Sequence, residues 1–164
     1  MKRRRLIPLA LVLALMAQAA CQPSDLHRLN VELNRAAKTL NAAAKTSHQF
    51  YETGIYGPVG SEGAIRIRQK AATAIGESNE YLIKALTMAK ALTPATFEAG
   101  KLEVLKTLSL AAAQLHIGND AVDLILQGVA TAINAAVIIL QNFKSSDLKY
   151  LPMIQKWQIE RIEA

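Results

Sequence analysis

The chain has 164 residues, 51% of them apolar, 5% aromatic and 20% charged, with a single Cys and a formal charge of +6. That composition excludes a disordered low-complexity chain, and one Cys excludes an internal disulfide framework and any paired-Cys zinc or haem-attachment motif. The charge is unevenly placed, because Lys2, Arg3, Arg4 and Arg5 account for four of the 19 bases. Without them 15 bases face 13 acids, a balance of +2 that disfavours a nucleic-acid partner.

Those four bases precede an apolar run from Leu6 to Met16, 11 residues broken only by Pro8, and then Ala17-Gln18-Ala19-Ala20. The run is too short to cross a hydrocarbon core of about 30 Å as a helix. Positive flank, short apolar core and small-residue exit read as a secretory signal over residues 1–20. Ala19 and Ala20 directly before Cys21 make this segment resemble a bacterial lipoprotein signal, although Gln18 stands where such signals usually carry an apolar residue. The resemblance covers residues 1–22 and implies acylation of the Cys21 thiol, membrane anchoring, and sorting to the outer membrane because Gln22 rather than Asp follows. Two other outcomes stay open: ordinary cleavage after Ala17-Gln18-Ala19, and an uncleaved anchor. A lone thiol exported to an oxidising compartment invites mispairing, and the one Cys sits where a lipid would use it.

After a linker over 21–24, the remainder reads as helices. From Asp25 to Thr53, Leu26, Leu29, Leu33, Ala36, Leu40, Ala43, Ser47 and Phe50 advance by alternating steps of three and four, a heptad seam. Ser24 is the expected N-cap and Gly54 the stop. Gly54 to Ser61 is a Gly- and Pro-rich loop. A second helix is expected from Glu62 to Leu92, with Ile65, Ala72, Ile75, Leu82, Leu86 and Ala89 inward and a kink at Gly76–Asn79. Thr93-Pro94 predicts an N-cap and first turn for a third helix carrying Phe97, Val104, Leu105, Leu108, Ala112 and Leu115. Gly118 and Asp120 predict a stop and a new cap, and a fourth helix from about Ala121 to Phe143. An amphipathic tail from about Ser146 to Glu163 contains Pro152. The fold class is therefore all-α: an up-down bundle of four long helices plus a short C-terminal helix, as one domain over residues 25–164.

Chemistry is sparse. The fourth helix is apolar on most of its surface, with Gly128, Ala132 and Ala136 recurring every four residues. Gln127, Thr131 and Asn134 favour a buried bundle helix over a membrane span. His27, His48 and His116 lack the Glu-x-x-His and His-Glu-x-x-His spacings of metal sites, and His27 and His48 lie about 31 Å apart along one helix. Asp120 and Asp123 suit a helix N-terminus better than an acid–base pair. Gly57, Gly60, Gly63 and Ser61 lack the phosphate-loop pattern. Arg66, Arg68 and Lys70 read as a solvated face. In the tail, Trp157, Tyr150 and Ile154 form a candidate interaction surface, with Trp157 its anchor. The expectation is an exported, lipid-anchored binding or scaffolding module of the cell envelope with an envelope protein as partner, no catalytic residues, no cofactor and no metal. The alternative is a periplasmic or secreted bundle that binds a small apolar ligand.

Overall fold

In the computed structural model the described residues are 25–150, 152, 156–159 and 162, with the side chains of Leu26 and Tyr150 outside that set. They build four helices: α1 (Asp25–Glu52), α2 (Glu62–Lys90), α3 (Phe97–Ala113) and α4 (Asp120–Gln141), followed by a 3₁₀ helix (Ser145–Tyr150). No strand occurs among the described residues. Each helix packs on its chain neighbours, and α1 closes the ring against α4, which gives an all-α four-helix bundle. Lys101 near the start of α3 donates to the Gln141 and Phe143 carbonyls at 2.9 and 2.8 Å, so α3 and α4 run antiparallel and the Lys101 ammonium neutralises the end of α4.

The α1 seam is realised: Leu29, Leu33, Ala36, Leu40, Ala43 and Ser47 are buried, and Phe50 is half-buried. At 28 residues the helix is about 42 Å long, so this one seam supports the bundle from end to end. Against it packs α4, whose Val122, Leu126, Val129, Ala132, Ile133, Ala136 and Leu140 are buried. The two helices meet at Gly128, where a Cβ would make ordinary contact with Thr39 Cγ2 at 3.4 Å. Among the described residues, α4 is the helix with the length and hydropathy to cross a membrane. Its buried stripe faces the bundle, while Leu124 on the opposite side is 71% exposed.

Several boundaries differ from expectation. α2 is one uninterrupted helix through Gly76–Asn79, because Ser78 and Asn79 are buried and held by packing rather than presented to water. Its buried face begins at Ala64 and Ala71, and Ile65 is 38% exposed. The small side chains bring α2 close to its neighbours, a gain the bulkier Ile65 could not supply at that position. α3 begins at Phe97 with Thr96 at its N-cap, one turn after Thr93. Thr93 and Thr96 accept from each other's backbone N–H at 3.3 and 3.1 Å, which satisfies groups that the turn through Pro94 leaves free. α4 is capped by Asn119, whose Oδ1 accepts from Val122 N–H at 3.2 Å, so Asp120 is the first helical residue rather than the cap. Of the expected C-terminal helix, the described residues show the 3₁₀ turn Ser145–Tyr150 and a helical Pro152. Residues 157–159 and 162 are not helical.

Candidate functional site

The seams between α1 and α4 and between α2 and α3 are the more extensive ones. The α1–α2 seam is looser, and the tail of the chain lies on it. Trp157, Ile159 and Ile162 are half-buried against the core. Lys90 Nζ donates to the Trp157 carbonyl at the C-terminal end of α2, and Ile162 N–H donates to Asn79 Oδ1 at 3.0 Å about three turns earlier. The tail therefore runs antiparallel to α2 and is gripped through its main chain.

On one side of Ile162 lies a hollow of about 230 Å³ against Asn34, Ala37 and Lys38. On the other the seam opens into a pocket of about 350 Å³, and Asn41 and Ile162 border both. The pocket floor is Ala44, Ala72, Ile75 and Ile162. Asn41, Ser47, Lys45, His48 and Arg68 supply its polar lining. α1 brings Ala44, Lys45, Ser47 and His48 to one place because positions three and four apart share a helical face. α2 does the same with Arg68, Ala72 and Ile75.

The electrostatics of this pocket are one-sided. None of its described lining residues is acidic. The Arg68 guanidinium sits 4.8 Å over the Tyr51 ring, which holds the cation at the rim. His48 Nε2 lies 3.2 Å from Glu52 Oε1, one turn further along α1. No carboxylate among the described residues pairs with Lys45 or Arg68. Behind the lining, the buried Tyr56 hydroxyl donates to Ser47 Oγ at 2.9 Å. Burial raises the Tyr56 pKa above its ordinary value, with the Ser47 hydrogen bond opposing that rise. Since Ser47 accepts from Tyr56, its own O–H remains to donate, and no acceptor among the described residues takes it.

Of the residues singled out from sequence, Trp157 is placed on the bundle. Cys21, Ile154 and the Tyr150 side chain lie outside what the structure describes, as do residues 1–20. The histidines do not converge. His116 Nδ1 pairs with Asp123 Oδ2 at 2.9 Å, and Asp123 Oδ1 also accepts from Ile117 N–H at 2.9 Å. Asp123 thus ties the α3–α4 connection to the start of α4. No cluster of three or more His, Cys, Asp or Glu able to hold a metal occurs among the described residues. Ser61 caps α2 by accepting from Ala64 N–H at 3.3 Å, and the Gly-rich loop folds back to insert Tyr56. Arg66 pairs with Glu62, which leaves Arg68 as the member of the basic group at the pocket. The chain matches no protein-family model, and neither a curated protein nor a solved structure matches it.

Sequence reasoning missed Lys45, Ser47 and Arg68 as a group. Lys45 and Arg68 stand 23 positions apart on different helices, and each by itself reads as a solvated cation. The available signal was Ser47 at a seam position that otherwise takes Leu or Ala.

Proposed function

We propose that the chain is a helical binding or scaffolding module of the cell envelope, exported by residues 1–20 and tethered to the membrane by lipid on Cys21. The reading assigns it no catalytic step. The observation that carries the binding role is the α1–α2 seam, where the bundle receives an added segment through main-chain contacts, with a pocket beside it. Gripping of that kind suits recognition of a partner chain in the envelope, with Trp157 at one end of the gripped segment. Three residues separate Cys21 from α1, so a lipid anchor there would hold the bundle close to the bilayer. Gln22 after the Cys favours the outer membrane where the host has one.

Fractionation of cells carrying the native chain and its Cys21→Ala variant tests the anchor. The native protein is expected in the membrane and the variant in the soluble envelope fraction. An unmodified Cys21 by intact mass overturns the lipid. Crosslinking in the intact envelope, followed by identification of the captured protein, tests the binding role. The pocket of about 350 Å³ also favours a second reading, a soluble periplasmic or secreted bundle binding a small apolar ligand. Fractionation separates the two, since the native chain is expected in the membrane only on the first.

A further inference from the structure

We infer that the pocket between α1 and α2 binds a small carboxylate amphiphile, with an anionic head at Lys45 and Arg68 and a short apolar chain over Ala72, Ile75 and Ile162. This inference rests on the reading of the chain as a binding module and names what that site takes.

Three observations converge on the head group. The described lining has no acid, and Lys45 and Arg68 have no carboxylate partner among the described residues. Arg68 is held in place by the Tyr51 ring, so less rotamer freedom is lost when it engages an anion. Ser47, 4% exposed, has its acceptor role taken by Tyr56 and keeps a donor for the pocket. Two cations and a hydroxyl donor form a charge-assisted set that an alcohol or an amine cannot satisfy. The floor sets the rest of the molecule. Ile75 is fully buried beneath it, while Ala44 and Ala72 leave the space that larger side chains would fill. At about 350 Å³ the pocket is near the small end for ligand sites, which favours a chain of medium length, about ten carbons. Ile162 forms one wall, so the tail limits how far that chain extends.

The test uses the full-length protein in phosphatidylcholine vesicles and a ten-carbon carboxylate bearing a diazirine near its chain end. Photolabelling is expected within residues 41–48 and 68–75, competed by decanoate and not by decanol or decylamine. Lys45→Gln and Arg68→Gln are each expected to lower labelling about fivefold, and Lys45→Arg to restore it. Leu124→Ser on the exposed side of α4 should leave it unchanged. Labelling that decanol competes equally, that ignores both charge removals, or that falls on the exposed side of α4 overturns the assignment. Envelope crosslinking reads the binding role separately. A captured protein partner without amphiphile labelling overturns the ligand class alone, and loss of both overturns the binding reading itself.

Discussion

Two buried serines should respond to the same substitution with opposite signs. Ser78 is fully buried on α2, and its Oγ has no hydrogen-bond partner among the described residues. A hydroxyl desolvated without a bond costs about 1–3 kcal/mol. Ser78→Ala removes that cost, gains a few tenths of a kcal/mol in helix propensity, and loses the dispersion contacts of one oxygen, worth a few tenths. The net expectation is stabilisation by about 1–2 kcal/mol. Ser47→Ala on α1 is chemically identical, but it leaves the buried Tyr56 O–H without its acceptor. That orphaned donor outweighs the gain in propensity, so destabilisation by about 1–2 kcal/mol is expected.

Equilibrium urea unfolding followed by far-UV circular dichroism measures both. The midpoints should move in opposite directions at unchanged slope, and the melting temperature by roughly 3–6 °C each way for a domain of this size. Adding Tyr56→Phe to Ser47→Ala removes the orphan and should recover most of the loss. A lower midpoint for Ser78→Ala would refute the reasoning, because it would mean that the hydroxyl is bonded in the folded protein. So would a Ser47→Ala loss that Tyr56→Phe does not relieve.

Glycines provide a second contrast. Gly128→Ala should stabilise by about 0.5–1 kcal/mol, since a Cβ there meets only Thr39 at 3.4 Å within a helix, whereas Gly118→Ala should destabilise by about 1 kcal/mol because its φ is +74°; thermal melts that rank them the other way would contradict both. Tyr56 should ionise above the usual tyrosine range in an ultraviolet pH titration, and Tyr56→Phe should remove that phase. Its neutral form is favoured by folding, so its stability contribution is full below about pH 10 and falls as pH rises through the raised folded value. Tyr56→Phe should accordingly flatten the alkaline loss of stability. Asn79→Ala deletes the acceptor of Ile162 N–H and should speed hydrogen exchange at that amide about five- to tenfold; an unchanged rate would show that the tail is held elsewhere.

The α1 seam was legible because seven residues make two full turns of a supercoiled helix, and a strict repeat can face only one partner surface. α2 was legible as a helix but not in phase. Ile65 is the more apolar choice, yet Ala64 and Ala71 face inward, since close approach between helices rewards small side chains. Ser78 and Asn79 read as a kink because polar residues near a Gly suggest one. Their burial depends on packing from distant parts of the chain, and for Asn79 on Ile162, 83 residues later. The tail read as amphipathic helix because its apolar spacing suits one, whereas Trp157 and Ile162 bond to α2 through their main chain. No local pattern could reveal the pocket, whose lining comes from α1, α2 and Ile162.

A closed four-helix bundle has few places to bind anything, because its core is filled by its own side chains. Binding must then use a seam, and the seams differ. Between α1 and α4 the surface hollow of about 400 Å³ carries Val31, Ala135, Ile138 and Ile139 with Arg28, His27 and Glu32. Its acid sits among its bases, and Glu32 also pairs with Arg35 at 3.8 Å, so that seam offers an anion no net preference. The helices there are also the most extensively packed, so an occupant gains only the surface depression. Between α1 and α2 the packing is looser, the lining cations pair with no carboxylate among the described residues, and a buried hydroxyl retains its donor. Apolar area attracts any amphiphile at about 25 cal/mol per Å² without discrimination. A group of donors left unpaired without its ligand discriminates, because only the right head group satisfies it. That asymmetry makes the α1–α2 pocket, rather than the larger hollow or the exposed Leu124 and Ile138 of α4, the place where this bundle can choose what it holds.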